Sequence, residues 1–179
     1  QEETSQRIDL PSEFQTLTGR SHPASARVPL NYLRKRAVVG KDVLFWKIGY
    51  CASGEYKNRI ILPSFDDEGY CNFFTSRTYD PSVWPPYMNG PGNKDIIFNE
   101  LLIDWEREVT LVEGVFDAIV AGENSIPLLG STLREDSKLF RKIVKNDTPV
   151  LLGLDNDAHK KAMKLVKALL AYDIEGRLM

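Results

Sequence analysis

Three acidic residues follow two apolar segments that have the composition of buried β-strands. Glu113 ends the segment VTLVE, Asp155 ends the segment VLLGLD, and Asp157 follows two residues later. Ligands of open parallel α/β sheets bind at the carboxyl ends of strands. Carboxylates that meet there repel one another unless a cation lies among them. If the two strands are neighbours, this spacing therefore predicts a divalent metal site.

The residue types around this site favour magnesium over zinc. An all-oxygen donor set suits a hard divalent cation, with manganese as the alternative. The two cysteines, Cys51 and Cys71, stand apart in the sequence and have no spacing typical of a tetrahedral zinc site. We therefore predict that both are buried thiols, with a disulfide as the less favoured alternative.

Two of the acids also have a structural interpretation. An Asp before a helix commonly caps it by accepting hydrogen bonds from backbone N–H groups, and Asp157 precedes the helical segment AHKKAMKLVKAL. Asp117 lies one helical turn beyond Glu113 and either faces the same site or faces solvent. Both interpretations stay open for these two residues, whereas Glu113 and Asp155 are harder to explain as structural groups.

The second half of the chain alternates between strand and helix patterns. The segments VTLVE, IPLLG and PVLLGLD are apolar strands, and the segments between and after them have helical spacing. Residues 100–179 are therefore predicted to form a β-α-β-α-β-α unit, which is a parallel sheet with helices on its faces. The last residues, IEGRLM, are predicted to open a further strand, and we interpret this domain as truncated.

The first half has a different pattern. Residues 1–23 contain prolines and a glycine but no periodicity, which indicates an extended arm. Residues 24–38 have helical spacing, and the runs WKIGYC, RIILPSF and YCNFFTSRTY predict a small antiparallel sheet. The segment YDPSVWPPYMNGPGNK predicts a loop. Residues 24–99 are thus predicted to be an α+β subdomain, and the chain as a whole an α/β protein.

Composition limits the classes of protein to consider. The chain has 179 residues, of which 42% are hydrophobic and 27% charged, as in globular proteins. Its apolar runs are far shorter than the roughly 20 residues of a membrane-spanning helix, and the N-terminus lacks the pattern of a signal peptide. We therefore expect a cytoplasmic protein that makes no membrane contact.

Charge and aromatic residues limit how the chain could bind nucleic acid. The net charge of −2 provides no uniform basic surface, so any contact with nucleic acid must be local. Trp46, Trp84 and Trp105 are of a type that can stack on bases. Tryptophans in a chain of this size more often pack in the core or at its boundary, and no role is predicted for them.

Two sets of motifs resemble a known family. LVEGVFDAI and LLGLDNDAHKKA resemble the Toprim motif pair, a Glu-Gly after one strand and an Asp-x-Asp after another. The earlier segments NYLRKRAV, WKIGYC, NRIILPSFDDEGYCNFFTSR, PYMNGPG and IIFNE are similar, in order, to motifs of DnaG-type DNA primases. The resemblance runs from about Leu10 to the end of the chain and is greatest to the primases of bacteriophages.

The resemblance implies a function and its partners. It implies metal-dependent, template-directed synthesis of short RNA primers on single-stranded DNA from ribonucleoside triphosphates. It also implies a replicative helicase as partner and, for a phage protein, the cytoplasm of the host cell.

The resemblance also implies roles for individual residues. The metal-binding acids would be Glu113, Asp155 and Asp157, and Asp117 matches the second acid of the first motif. Residues at matching positions for binding of nucleotide or nucleic acid are Arg36, which ends the YLxxR motif, Arg59, Arg77 and Asn89.

The chain departs from the family pattern at two lysines. Many members have lysine where this chain has Pro86 and Asn99, which weakens the expected triphosphate contacts. Lys94 is a candidate substitute. The zinc-binding module of the family would precede Gln1 and a further acidic motif would follow Met179. We therefore interpret the chain as an excised core, and its activity in isolation is left open.

Two other functions stay open. Another Toprim enzyme, a nuclease or topoisomerase, would use the same acids to cleave phosphodiester bonds, although no topoisomerase tyrosine domain is evident. A non-catalytic module would only bind single-stranded DNA or a helicase, and the replacements at Pro86 and Asn99 favour this alternative.

Overall fold

The computed structural model describes residues 5–130 and 132–179, which divide into two compact units. The first unit runs to Phe65 and includes Gly69–Gly92, and the second comprises Asp66–Glu68 and Asn93–Met179. The first four residues of the predicted arm and Ser131 lie outside the described residues. Each unit has its own sheet.

The first unit is built on a five-stranded antiparallel sheet. The strands, in the order β1-β2-β3-β4-β5, are Phe14–Thr16, Gly49–Cys51, Arg59–Phe65, Cys71–Thr78 and Tyr87–Asn89. The three central strands confirm the predicted antiparallel sheet. The edge strands differ from expectation, because β1 lies in the predicted arm and β5 in the predicted loop. A strand of three residues is too short to show periodicity, and its pairing depends on the rest of the sheet.

Two short helices precede β2 in this unit. A 3₁₀ turn at Ala24–Ala26 leads into α1, Arg27–Lys35, and α2 follows at Gly40–Phe45. Pro29 does not interrupt α1, because it lies in the first turn, where the missing N–H breaks no helical hydrogen bond. The predicted helix ends before Val38, since Ala37 adopts a left-handed φ of 59°.

The strand register divides the side chains of the first sheet between two faces. One face carries the apolar cluster of Cys51, Ile61 and Phe74, against which the arm residues Ile8 and Leu10 pack. The opposite face carries the side chains of β4 and β5 that alternate with this cluster, since Arg77 pairs with Tyr87 and Thr75 with Asn89. This second face also carries the buried Ile60, Leu62 and Phe73, so both faces have apolar parts, and the polar side chains of the second face lie on β4 and β5.

The second unit contains a parallel sheet in the order β7-β6-β8-β9. Its strands are β6 Val109–Val112, β7 Ser125–Pro127, β8 Val150–Gly153 and β9 Gly176–Leu178. The helices are α3 Val115–Ala121, α4 Lys138–Asn146 and α5 His159–Leu170. This confirms the predicted alternation and the further strand. Within the described ranges, no helix has the length and apolar character that spanning a membrane would require.

The chain adds strands to this sheet in opposite directions from its two central strands, β6 and β8. After β6 the chain passes to β7 on one side, and after β8 it passes to β9 on the other. The apolar sides of α4 and α5, including Phe140, Ile143, Leu165 and Leu169, pack with β6 and β8 in one core cluster. Helix α3 connects β6 to β7, towards one edge of the sheet, whereas α4 and α5 belong to connections that run towards the other edge. Because crossovers in parallel sheets are right-handed, α3 belongs on the face opposite to α4 and α5.

Candidate active site

The acids Glu113 and Asp155 lie at the carboxyl edge of two adjacent strands. Val112 of β6 pairs with Gly153 of β8, so Glu113 follows its strand directly and Asp155 follows two residues after its own. This confirms that the two acid-bearing strands are neighbours. The chain continues from β6 and from β8 towards opposite edges of the sheet, and such a switch point opens the crevice in which parallel α/β sheets bind ligands.

The side chains of these acids do not form a closed metal site. Glu113 is half-buried, while Asp155 and Asp157 are exposed. Over the described ranges, 5–130 and 132–179, no three His, Cys, Asp or Glu residues are close enough to hold a metal ion. The backbone therefore brings the acids to one edge of the sheet without gathering their carboxylates into one donor set.

Asp157 does not cap α5, although its position before the helix suggested that role. A 3₁₀ turn at Asn156–Ala158 precedes α5, whose N-cap is Ala158. Neither this turn nor α5 has a side-chain capping hydrogen bond. The carboxylate of Asp157 is thus an exposed group in the middle of the turn that follows β8.

Asp117 caps α3. Its Oδ2 accepts a hydrogen bond from the backbone N–H of Gly114 at 3.0 Å. A Cβ atom at position 114 would lie 3.2 Å from that oxygen, so glycine permits the close approach. Of the two interpretations left open for Asp117, this geometry gives it a structural contact, with the rest of the side chain exposed.

The first unit contains an arginine–tyrosine cluster formed by Tyr32 and Arg36 of the α1 segment with Arg77 of β4 and Tyr87 of β5. Arg77 Nε donates a hydrogen bond to Tyr32 Oη at 3.0 Å, and its guanidinium carbon lies 4.8 Å from the centre of the Tyr87 ring. The guanidinium carbon of Arg36 lies 5.3 Å from the centre of the Tyr32 ring. The cluster thus holds two predicted site residues, Arg36 and Arg77, with aromatic rings beside both.

The sequence alone predicts no role for the two tyrosines of this cluster. Tyr32 stands inside the YLxxR motif that identified Arg36, and Tyr87 stands two residues before Asn89. Motif position was therefore an available signal for both. The contact of Tyr32 with Arg36 spans only four residues, whereas its hydrogen bond from Arg77 joins residues 45 positions apart, and no local pattern predicts that bond.

Asn89 belongs to the same face as this cluster. In β5 it alternates with Met88, so that its side chain shares a face with Tyr87. Its Oδ1 accepts a hydrogen bond from Thr75 Oγ1 at 2.8 Å. This bond fixes the orientation of the exposed amide, whose N–H₂ group can donate to a ligand.

Arg59 lies apart from this face. Its side chain is only 2% exposed, and the register places it on the face of the apolar cluster. Nη2 donates to the carbonyl of Pro85 at 2.6 Å and Nη1 to the carbonyl of Pro86 at 3.4 Å. Burial, followed by the nearby charge of Arg77, lowers the pKa of Arg59. Its guanidinium therefore holds the loop before β5.

The second unit contains Asn99, which replaces a lysine of the family pattern, and Lys94, which is the candidate substitute. Lys94 is exposed, and its Nζ donates to the carbonyl of Leu129 at 3.1 Å. Asn99 is 1% exposed and adopts a left-handed φ of 53°. Asn99 therefore presents no group to solvent, whereas Lys94 presents a cation at the rim of this unit.

Pro86, the other departure, lies in the first unit beside the arginine–tyrosine cluster. Its carbonyl accepts a hydrogen bond from the backbone N–H of Thr78 at 3.0 Å. It therefore contributes a backbone anchor to the loop at a position where the family pattern has a cation.

The tryptophans and cysteines have distinct environments. Trp46 is 5% exposed, as expected for a core residue, whereas Trp84 is 84% exposed and contradicts that expectation. Both cysteines are free thiols, as predicted, but only Cys51 is buried, whereas Cys71 is half-buried and the predicted burial is wrong for it. Burial raises the pKa of Cys51 to about 11, so this thiol is inert near neutral pH.

Comparisons with known proteins relate the chain to DNA primases. The chain matches no family model. It is 32% identical over 124 residues to the DNA primase of Listeria innocua, a match covering 61% of this chain and 20% of that protein. The chain therefore spans about a fifth of the length of this relative.

Solved structures of primases share the fold. The chain superposes on a DnaG primase catalytic domain bound to single-stranded DNA with a TM-score of 0.71 and 17% identity, covering 88% of this chain and 67% of that one. For the zinc-binding and RNA polymerase domains of Aquifex aeolicus primase, the TM-score is 0.69 at 19% identity, covering 83% and 48%. The chain has the α/β fold of the DnaG primase catalytic core.

Proposed function

We propose that the chain is the catalytic core of a DNA primase, which synthesises short RNA primers on single-stranded DNA from ribonucleoside triphosphates. The fold and the Listeria relative support this proposal. We further propose that the second unit is a Toprim domain, that the protein belongs to the bacteriophage branch, and that a replicative helicase is its partner in the host cytoplasm.

One observation carries the proposal. Glu113 and Asp155 follow adjacent parallel strands at the point where the strand order reverses. Parallel α/β sheets bind ligands at such a position, and carboxylates drawn together there would repel one another unless a cation compensated them. A nucleotide with its divalent ion provides that compensation.

The donor chemistry of the site fits a magnesium ion. Glu113, Asp155 and Asp157 offer carboxylate oxygens, which are the ligands that magnesium prefers, and substrate phosphates commonly complete its coordination. Exposed side chains change rotamer within nanoseconds, so Asp155 and Asp157 can turn toward an ion that arrives with substrate. Bound divalent ions stabilise the attacking and leaving oxygens of phosphoryl transfer.

The arginine–tyrosine cluster would bind and orient phosphate groups. The planar guanidinium of Arg77 matches a phosphate in shape and charge, and its bond to Tyr32 limits its orientation. Arg36 and the amide of Asn89 add a second cation and a donor. Arg59 would act on this face indirectly, through the loop that it holds, and Lys94 would contact a triphosphate at the second unit.

The acid assignment predicts that Glu113→Gln and Asp155→Asn each lower primer synthesis by the full-length protein more than about 100-fold. Residues that only support a metal ligand typically cost 10–100-fold on mutation, and a direct ligand should cost more. The measurement is incorporation of labelled ribonucleotides on a single-stranded template with magnesium. Glu123→Gln, an exposed acid between α3 and β7, is the matched control and should retain wild-type activity.

The same assay separates this function from its alternatives. Wild-type products of a few ribonucleotides support the primase. Shortening of the template would identify a nuclease, and binding of single-stranded DNA without any product would identify a non-catalytic module. Wild-type rates in Asp155→Asn would refute the acid assignment even if the protein makes primers.

A further inference from the structure

Trp84 is an aromatic side chain that the fold leaves in solvent. We propose that Trp84 is a stacking platform for an unpaired base of single-stranded DNA. The inference rests on the proposed primase function and adds to it a base contact that none of the motif residues supplies. It follows from the exposure of the indole, the rigidity of its loop and its position in the chain.

The exposure of Trp84 is exceptional among the aromatic residues. The side chain is 84% exposed, against 49% for Tyr70, 46% for Tyr172 and 45% for Tyr87. A tryptophan contributes nothing to the core from such a position, although its large apolar ring is favourable to bury. Stacking against an unpaired base, which has a flat apolar face of its own, would bury this ring.

Hydrogen bonds from Arg59 and Thr78 hold the backbone that follows Trp84. Arg59, itself buried, donates to the carbonyls of Pro85 and Pro86 at 2.6 and 3.4 Å. The backbone N–H of Thr78 in β4 donates to the carbonyl of Pro86 at 3.0 Å. The indole thus projects from an anchored segment, so that little conformational entropy is lost when a ligand stacks on it.

The backbone that precedes Trp84 is a closed turn. Asp80 Oδ1 accepts hydrogen bonds from the backbone N–H of Ser82 at 2.9 Å and from Ser82 Oγ at 2.7 Å. Val83 donates its N–H to the carbonyl of Asp80 at 3.0 Å. With both flanks bonded, the exposed indole belongs to an ordered loop.

Position in the chain places Trp84 beside the arginine–tyrosine cluster. Tyr87, which carries Arg77 on its ring, is three residues further along, so the two Cα atoms are at most about 10 Å apart. Proteins that bind single strands combine cations that follow the phosphates with aromatic rings that stack on the bases. Arg77 and Trp84 supply these two chemistries within a few nucleotides of each other.

The test is the affinity of the full-length protein for a fluorescein-labelled oligothymidylate, measured by fluorescence anisotropy. We expect Trp84→Ala to weaken binding roughly 10-fold, in line with the loss of one base stack. Trp84→Phe keeps an aromatic face and should stay within about 3-fold of wild type. Tyr70→Ala, another exposed aromatic of the same unit, is the matched control and should bind as wild type does.

The salt dependence of binding gives a second readout. Stacking neutralises no phosphate, so the slope of log affinity against log salt should be the same in Trp84→Ala as in wild type. A weaker affinity with a shallower slope would mean that phosphate contacts had been lost, and it would overturn the proposal. An equal loss in Tyr70→Ala would overturn it as well.

Primer synthesis, measured on the same preparations, separates the two proposals. If wild type makes primers and Trp84→Ala binds the oligonucleotide as tightly as wild type, the stacking proposal fails and the primase function stands. If wild type neither binds the oligonucleotide nor makes primers, both fail. Because the indole is largely exposed, the substitution should leave the melting temperature unchanged, which circular dichroism checks.

Discussion

Arg59 is a buried arginine whose guanidinium serves the backbone of a neighbouring loop. A buried charge is costly unless hydrogen bonds satisfy it. The carbonyls of Pro85 and Pro86 supply two acceptors. The loop before β5 depends on this side chain for its anchorage, and Trp84 depends on the loop.

We predict that Arg59→Met lowers the free energy of unfolding by about 1–3 kcal/mol, because a buried carbonyl loses its donor. Urea unfolding of the full-length protein measures the change. Arg34→Met, at an exposed position of α1, should change stability by no more than about 0.5 kcal/mol. Unchanged stability in Arg59→Met would mean that relief of the charge burial offsets the lost bonds.

At the scale of elements, α3 is a short helix that begins beside the candidate metal site. It has seven residues, and helices of this length are marginal without tertiary contacts and caps. The hydrogen bond from Gly114 N–H to Asp117 closes its first turn. The carboxylate that caps α3 thus lies one turn from Glu113, and its structural and functional roles can be separated by substitution.

We predict that Asp117→Ala lowers the free energy of unfolding by about 1 kcal/mol, the usual effect of losing a helix-capping acceptor. Asp117→Asn keeps an oxygen that can accept the bond and should retain most of the stability. Thermal unfolding followed by circular dichroism measures both variants. If Asp117→Asn is stable but loses primer synthesis, then its charge serves the reaction; equal stability of both variants would contradict the capping role.

The whole molecule has a net charge of −2, so binding of single-stranded DNA cannot come from a general basic surface. The arginine–tyrosine cluster is a local cationic site within a near-neutral chain. The number of phosphates neutralised should then be small, and each one should be visible in the salt dependence of affinity.

We predict that Arg77→Gln makes the slope of log affinity against log salt shallower by about 0.7, the effect of one phosphate contact on a single strand. Anisotropy titrations of the oligothymidylate at several salt concentrations measure the slope. Arg34→Gln removes an exposed charge outside the cluster and should leave the slope unchanged. An unchanged slope in Arg77→Gln would exclude a phosphate contact by Arg77.

Local patterns in the sequence determined the parallel α/β unit. The alternation of apolar strands with helical segments predicted β6 to β9 and the helices α3, α4 and α5, because periodicity is a property of neighbouring residues. The same patterns placed Glu113 and Asp155 at strand ends. The elements α2, β1 and β5 escaped prediction. β1 and β5 lie in segments whose prolines and glycines indicated an arm and a loop, and α2 has only six residues.

Only the tertiary structure decided which of these residues meet. The adjacency of β6 and β8 depends on strand order, which local sequence does not encode, and it brought Glu113 and Asp155 to one edge. Strand register and packing likewise separated Arg59 from Arg77 and left Trp84 in solvent. The physical reason is that strand pairing and burial arise between residues far apart in sequence, whereas motifs record residue types alone.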